Sequence, residues 1–168
     1  NMVYASVRHA RALHGKVTKV TNLEAVRQLP GVLSVEVFET WVAVIASSWW
    51  QANQAVKQLE LTEDNSEVML KSTEDRRQAL LTALNEHGKK PPKKATKTLD
   101  VEYEVPFLEH GTMSPMNCTV ELSATGCDVW APTQAQTNSR KTAAAAAGLE
   151  PEQVRIHTTY LGGGFGRR

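Results

Sequence analysis

The sequence predicts an α+β fold built in two structured halves. Three observations carry that prediction. Short runs of alternating apolar and polar residues, the mark of half-buried strands, flank segments with helical spacing in both halves. A polar, lysine- and proline-rich stretch, "HGKKPPKKATK" from His87 to Lys97, separates them. The 168 residues are enough to bury one sizeable core or two small ones.

The elements follow in order. "MVYASVRH" and "GKVTKV" alternate as strands. "TNLEAVRQLPGV" reads as a short helix with Asn22 as N-cap, Leu23, Val26 and Leu29 facing inward, and Pro30-Gly31 as the stop. "VLSVEVFETWVAVIA" places Leu33, Val35 and Val37 on one face, then runs almost wholly apolar from Trp41 to Ala46, as a strand buried on both sides does. Ser47 or Ser48 caps the next helix, where Trp49, Ala52, Val56 and Leu59 fall at spacings of three and four. The first sixty residues thus read β-β-α-β-β-α.

"LTEDNSEVMLKS" is polar and reads as irregular. "STEDRRQALLTALNEHG" predicts a helix, with Ser72 and Asp75 as a capping box, a stripe of Leu80, Leu81 and Leu84, and Gly88 as the stop. The lysines beyond it have no interleaved aromatics and read as a solvated tether, not a nucleic-acid surface.

In the second half, "LDVEYEVPFLEHGTM" predicts a strand with Val101, Tyr103 and Val105 on one face, broken at Pro106. "MNCTVELSATGCDVWAP" reads as a hairpin turning at Ala124 to Gly126. "TQAQTNSRKTAAAAAGL" reads as a helix capped by Thr133 and ended by Gly148. "VRIHTTYL" is the last strand, and it delivers "GGGFGRR" at its C-terminal end, where α/β loops commonly meet ligands. The predicted order is β-β-β-α-β.

Charge and cysteine content narrow the chemistry. The net charge of +1 recruits no nucleic acid through a global field. Cys118 and Cys127 cannot form a disulfide framework or a four-ligand zinc site; nine residues apart across the hairpin, they could pair with each other, but read best as two small buried thiols. No apolar run is long enough to span a membrane, and the opening residues read as strand, not as a signal peptide.

The glycine loop fits neither common phosphate motif. It lacks the third glycine of a dinucleotide fingerprint and the lysine followed by Ser or Thr of a P-loop. What it offers is backbone amides that can approach an anion or a flat heteroaromatic closely, one apolar face from Phe165, and two arginines able to pair with phosphate.

"LGGGFGRR" resembles the glycine-phenylalanine loop of the molybdenum hydroxylases, the xanthine dehydrogenase and aldehyde oxidase family. Its arginine ending is similar to the isoquinoline 1-oxidoreductase beta-subunit branch. Three further stretches agree in order and spacing. "LPGVLSVEVFETWVAVIASSWWQANQAVKQLEL" resembles the family's hammerhead domain, "YEVPFLEHGTMSPMNCTVEL" the strand pair opening its cofactor-binding domain, and "DVWAPTQAQTNSRKTAAAAAGL" the segment whose glutamine reaches the metal.

The resemblance implies a hammerhead-like α+β domain over 1–62, a helix and basic linker over 63–97, and the first part of a molybdopterin-binding α+β domain over 98–168. It implies that Gln134 hydrogen-bonds an oxo ligand of molybdenum and that Gly163, Gly164, Phe165, Gly166 and Arg167 meet the pterin cofactor, with no direct metal ligand among them. A neutral carboxamide can donate there without adding charge. His110 falls near the substrate, although "HGTMSP" places Ser114 where the family has an acidic residue.

The implied reaction is hydroxylation of an electron-poor aromatic or aldehyde carbon. Its general-base glutamate is expected downstream, so this stretch reads as a fragment that is inactive alone. Implied partners are an iron–sulfur small subunit and a small aromatic or aldehyde substrate, and the branch is often exported to the periplasm. An unpaired sheet edge would also permit a homodimer of the fragment. The alternative reading is a self-contained phosphate- or nucleotide-binding module without redox chemistry.

Overall fold

The computed structural model describes residues 2–66, 72–89, 91–99, 101–106 and 108–168. They divide into two compact units, Asn1–Ala95 and Thr96–Arg168.

In the first unit, β1 (Tyr4–His9), β2 (Lys16–Val20), helix α1 (Leu23–Arg27), β3 (Val32–Val37), β4 (Trp41–Ala46) and helix α2 (Trp49–Lys57) follow the predicted order. The apolar run of β4 makes it the central strand of an antiparallel sheet ordered β1-β4-β3. With neighbours on both edges and side chains covered on both faces, Val42 and Val44 are fully buried. The core gathers Val20, Val26, Val35, Val42, Val44, Ala55, Val56 and Leu59, with Leu23 and Leu29 packed against it. Ser48 caps α2 by accepting from the Gln51 amide at 3.3 Å.

Several expectations are corrected here. Leu33 does not share the core face with Val35. Val32 pairs with Ala46 and Ser34 with Ile45, so Leu33 is the extra residue of a bulge and is exposed, while Val37 at the strand end is also exposed. Trp49 sits in the first turn of α2 and is exposed, leaving Ala52, Val56 and Leu59 as the inward residues.

Asn22 stands at the start of α1 but makes no side-chain cap. Its amide donates to the Gln58 carbonyl at 2.7 Å and its oxygen accepts from the Glu60 amide at 3.0 Å. It thereby ties the start of α1 to the segment leaving α2. That segment is not irregular. It forms β5 (Leu61–Asp64), antiparallel to β2, because Leu61 pairs with Val20 at the edge of the core and supplies a ladder that local polarity hides.

Helix α3 (Thr73–His87) opens with the expected capping box, Ser72 Oγ accepting from the Asp75 amide at 3.1 Å and Asp75 from the Ser72 amide at 2.9 Å. No residue of α3 is buried, so Leu80 and Leu84 face solvent instead of forming a packed stripe. Gly88 ends the helix in extended backbone, at φ −62°. Residues 67–71, from the polar stretch before α3, lie outside the described residues.

The second unit holds β6 (Thr119–Leu122), β7 (Cys127–Ala131), helix α4 (Gln136–Ala147), a 3-10 turn (Pro151–Gln153) and β8 (Val154–Thr158). β6 and β7 form the predicted hairpin, and β7 pairs with β8 in parallel across the α4 connection. Alanines suit α4 because they let it approach the sheet closely. Ala144 is buried against Cys127, Val129 and Val154.

The strand expected over 99–106 is absent. Its described residues are exposed coil. The unit's order is therefore β-β-α-β. Cys118 is exposed and only Cys127 is buried; both are free thiols. No helix among the described residues is long and apolar enough to cross a membrane.

Val44→Ala opens space in a fully buried site and is expected to cost roughly 1–3 kcal/mol in chemical denaturation. Leu80→Ala on the exposed face of α3 is expected to change stability by less than about 0.5 kcal/mol. Equal losses from the two would contradict the solvent-facing assignment of α3.

Candidate functional site

Three segments of the second unit meet at the C-terminal ends of β7 and β8: the 110–115 turn, the residues leading into α4, and the glycine loop after β8. α4 begins at Gln136 with Ala135 at the cap position and no side-chain cap. Thr133 is therefore not the N-cap. It lies two residues earlier, its hydroxyl accepting from the Ala135 amide at 3.0 Å and donating to the Arg168 carbonyl at 2.8 Å. Gln134 follows, its own amide donating to the same carbonyl at 2.6 Å.

The Gln134 side chain faces the glycine loop. Its Nε2 donates to the Gly164 carbonyl at 3.2 Å and its Oε1 accepts from the Gly166 amide at 3.0 Å. A carboxamide is suited to this two-point contact because it carries a donor and an acceptor side by side. The second Nε2 hydrogen is left for another acceptor.

Within the loop, Gly163 (φ +138°) and Gly166 (φ +100°) adopt backbone that L side chains rarely reach. A Cβ at Gly162 would collide with the Ser114 backbone nitrogen, whereas a Cβ at Gly166 would meet nothing within 4 Å. The loop's first glycine is thus packed against the 112–115 turn, and its last faces open space.

The amides of Gly163, Gly164, Phe165 and Arg167 have no hydrogen-bond partner among the described residues. All four are neutral donors in the loop that the Gln134 carboxamide contacts. Phe165 is exposed, with its ring 6.1 Å from that of His110 and inclined at 55°. Arg167 is exposed and has no partner among the described residues.

The predicted residues Gln134, Gly164, Phe165 and Gly166 are brought together, with Gly163 and Arg167 adjoining and His110 beside the aromatic. Arg168, which the sequence offered as a partner for phosphate, is turned inward and is 8% exposed. Its guanidinium meets Thr112, Ser114 and Pro115. Nothing in its sequence neighbourhood separates it from Arg167. The one signal is Ser114, whose hydroxyl in a proline-flanked turn is short enough to accept from both Arg168 at 2.9 Å and the Gly162 amide at 3.0 Å.

The sheet's other polar cluster lies on β7 and β8. Asp128 accepts from Arg155 Nε at 2.8 Å and Nη2 at 2.6 Å, and from His157 Nε2 at 2.6 Å. The His157 ring in turn stacks on Trp130, 4.8 Å away. The hydrogen bonds from Arg155, and next those from His157, hold the Asp128 carboxyl down to about 2.

The second unit is an α+β domain with neutral backbone donors at the ends of a parallel strand pair. Residues 74–168 match the model of the molybdopterin cofactor-binding domain, and the chain belongs to that family. No curated protein matches the chain in sequence.

Solved structures share its fold. The Cu,Mo-CO dehydrogenase in its carbon-monoxide-reduced state superposes with a TM-score of 0.64 at 13% identity, over 99% of this chain and 28% of its own. Quinoline 2-oxidoreductase from Pseudomonas putida 86 does so with a TM-score of 0.64 at 12% identity, over 98% of this chain and 27% of its own. The chain spans little more than a quarter of the length of either. The match to a molybdopterin domain leaves the nucleotide-module alternative without support.

Folding depresses the Asp128 carboxyl, so its contribution to stability is fully present above the unfolded carboxylate range near 4 and is lost as pH falls toward 2. Asp128→Asn is expected to remove that acid-side loss, leaving a flatter stability profile between pH 5 and 2. An unchanged profile, or a carboxyl NMR titration midpoint near 4, would contradict the arrangement.

Proposed function

We propose that the chain is part of a molybdopterin-dependent oxidoreductase subunit, in which its second unit supplies one wall of the cofactor site. The observation that supports this most is the pairing of the Gln134 carboxamide with a glycine loop that holds several unpartnered amides. These donors fit the group. A pterin presents heteroatom acceptors around a flat ring, and neutral amides at an uncrowded, positive-φ glycine can approach it without steric cost or added charge.

Gln134, Gly163, Gly164, Phe165, Gly166 and Arg167 would hold the cofactor on this side. The cofactor, when bound, supplies two-electron redox chemistry. This chain's residues bind it and orient it: Gln134 keeps one Nε2 hydrogen on the Gly164 carbonyl and presents the other, while Phe165 and His110 border the space for a small substrate. Hydroxylation of an N-heteroaromatic or aldehyde carbon is the reaction we assign to the whole subunit, with its general-base glutamate downstream and an iron–sulfur partner subunit removing the electrons. Residues 1–62 correspond to the hammerhead-like domain, residues 63–97 to the connecting helix and linker, and residues 98–168 to the start of the cofactor domain.

One wall does not make a closed site, so the isolated 168-residue chain is expected to carry well under one molybdenum per chain and to be inactive. The whole subunit is expected to purify with stoichiometric molybdenum and pterin, and Gln134→Ala in it to lower turnover by about tenfold to a hundredfold. Metal analysis decides. Stoichiometric molybdenum in the short chain would overturn the one-wall claim, and a whole subunit free of molybdenum would overturn the function.

A further inference from the structure

We propose that Arg168 is the positioning residue that shapes the glycine loop, acting as a clamp on the 112–115 turn and not as a ligand for phosphate. The proposal deepens the cofactor-wall reading and rests on it for its functional meaning. The geometry carries the clamp itself.

The guanidinium is buried, yet every acceptor it meets is a neutral oxygen of the turn: Pro115 O at 3.2 Å, Thr112 Oγ1 at 3.2 Å, Ser114 Oγ at 2.9 Å, and the Ser114 carbonyl. No carboxylate pairs with it among the described residues. Burying a charge without such a partner is costly, so the fork of donors must be filled from the turn itself, and the turn is thereby held in one arrangement.

The turn then holds the loop. Ser114 Oγ accepts from the Gly162 amide at 3.0 Å, and the Met113 amide donates to the Gly162 carbonyl at 2.8 Å. On its other side the Arg168 carbonyl accepts from the Gln134 amide and the Thr133 hydroxyl. One residue therefore joins the turn, the lead-in to α4 and the far end of the glycine loop. Four glycines within five positions cannot set their own dihedrals. The clamped turn holds the loop at Gly162, and Gln134 holds it at Gly164 and Gly166, so three of its four glycines are tied to fixed segments.

Amide hydrogen exchange in the isotope-labelled 168-residue chain tests this without any cofactor. Arg168→Met is expected to speed exchange at Met113 and Gly162 by about tenfold or more while leaving Val129 and Ile156 in the β7–β8 ladder unchanged. Arg168→Lys, which keeps the charge but loses the fork, is expected to fall between.

If Arg168→Met does not fold, Ser114→Ala removes the shared hydroxyl alone and is expected to speed exchange at Gly162. Unchanged exchange at Met113 and Gly162 in the folded variants would overturn the clamp. So would an Arg168→Lys variant in which Val129 and Ile156 speed up as much as the loop, since that is general destabilisation. Because the readout needs no cofactor, a failed clamp leaves the molybdenum result standing, and a molybdenum-free subunit leaves the clamp standing.

Discussion

A loop of glycines has no side chains with which to fix itself, and the candidate site depends on how that freedom is removed. Gly162, Gly163, Gly164 and Gly166 give the backbone access to conformations and close approaches that other residues forbid. The same freedom would let the loop wander. In this chain it is constrained from two sides: by the 112–115 turn through Ser114 and Met113, and by the head of α4 through Gln134. Both constraints come from segments remote in sequence that converge at the ends of β7 and β8.

The proposed function accounts for the neutral donors. Backbone amides and a carboxamide can orient a flat, heteroatom-rich cofactor without imposing a fixed charge beside a redox centre. Arg168, the buried cation of this unit, is directed into the turn behind the loop. Arg167, its neighbour, stays exposed. Two adjacent arginines thus differ in role because backbone geometry sends one inward, a distinction that composition cannot make.

Much of the fold was legible because strong local signals and tertiary packing agree. The unbroken apolar run of β4 demands burial on both faces, Ser48 and Ser72 cap their helices through their own hydroxyls, and the alanines of α4 suit close packing on a sheet. Failures arose where long-range partners decide the outcome. β5 is polar by itself and becomes a strand because β2 offers it a ladder. The described residues of 99–106 alternate well in sequence and are nonetheless exposed coil. Leu33 sits on a bulge, which shifts the alternation by one residue and moves it out of the core. The order of the glycines, Phe165 and Gln134 along the chain marked them as candidates, and the fold brings them together. The clamp was not, since the pairing of Arg168 with Ser114 spans 54 residues and leaves no periodic trace.

The central claim is that the Gln134 carboxamide and the loop amides face a molybdopterin cofactor. An experimental structure of the whole subunit with its cofactor bound measures this directly. The account predicts Gln134 Nε2 within hydrogen-bond distance of the cofactor, with the amides around Phe165 turned toward it. A structure in which that carboxamide points to bulk water, remote from the ring system, would contradict it.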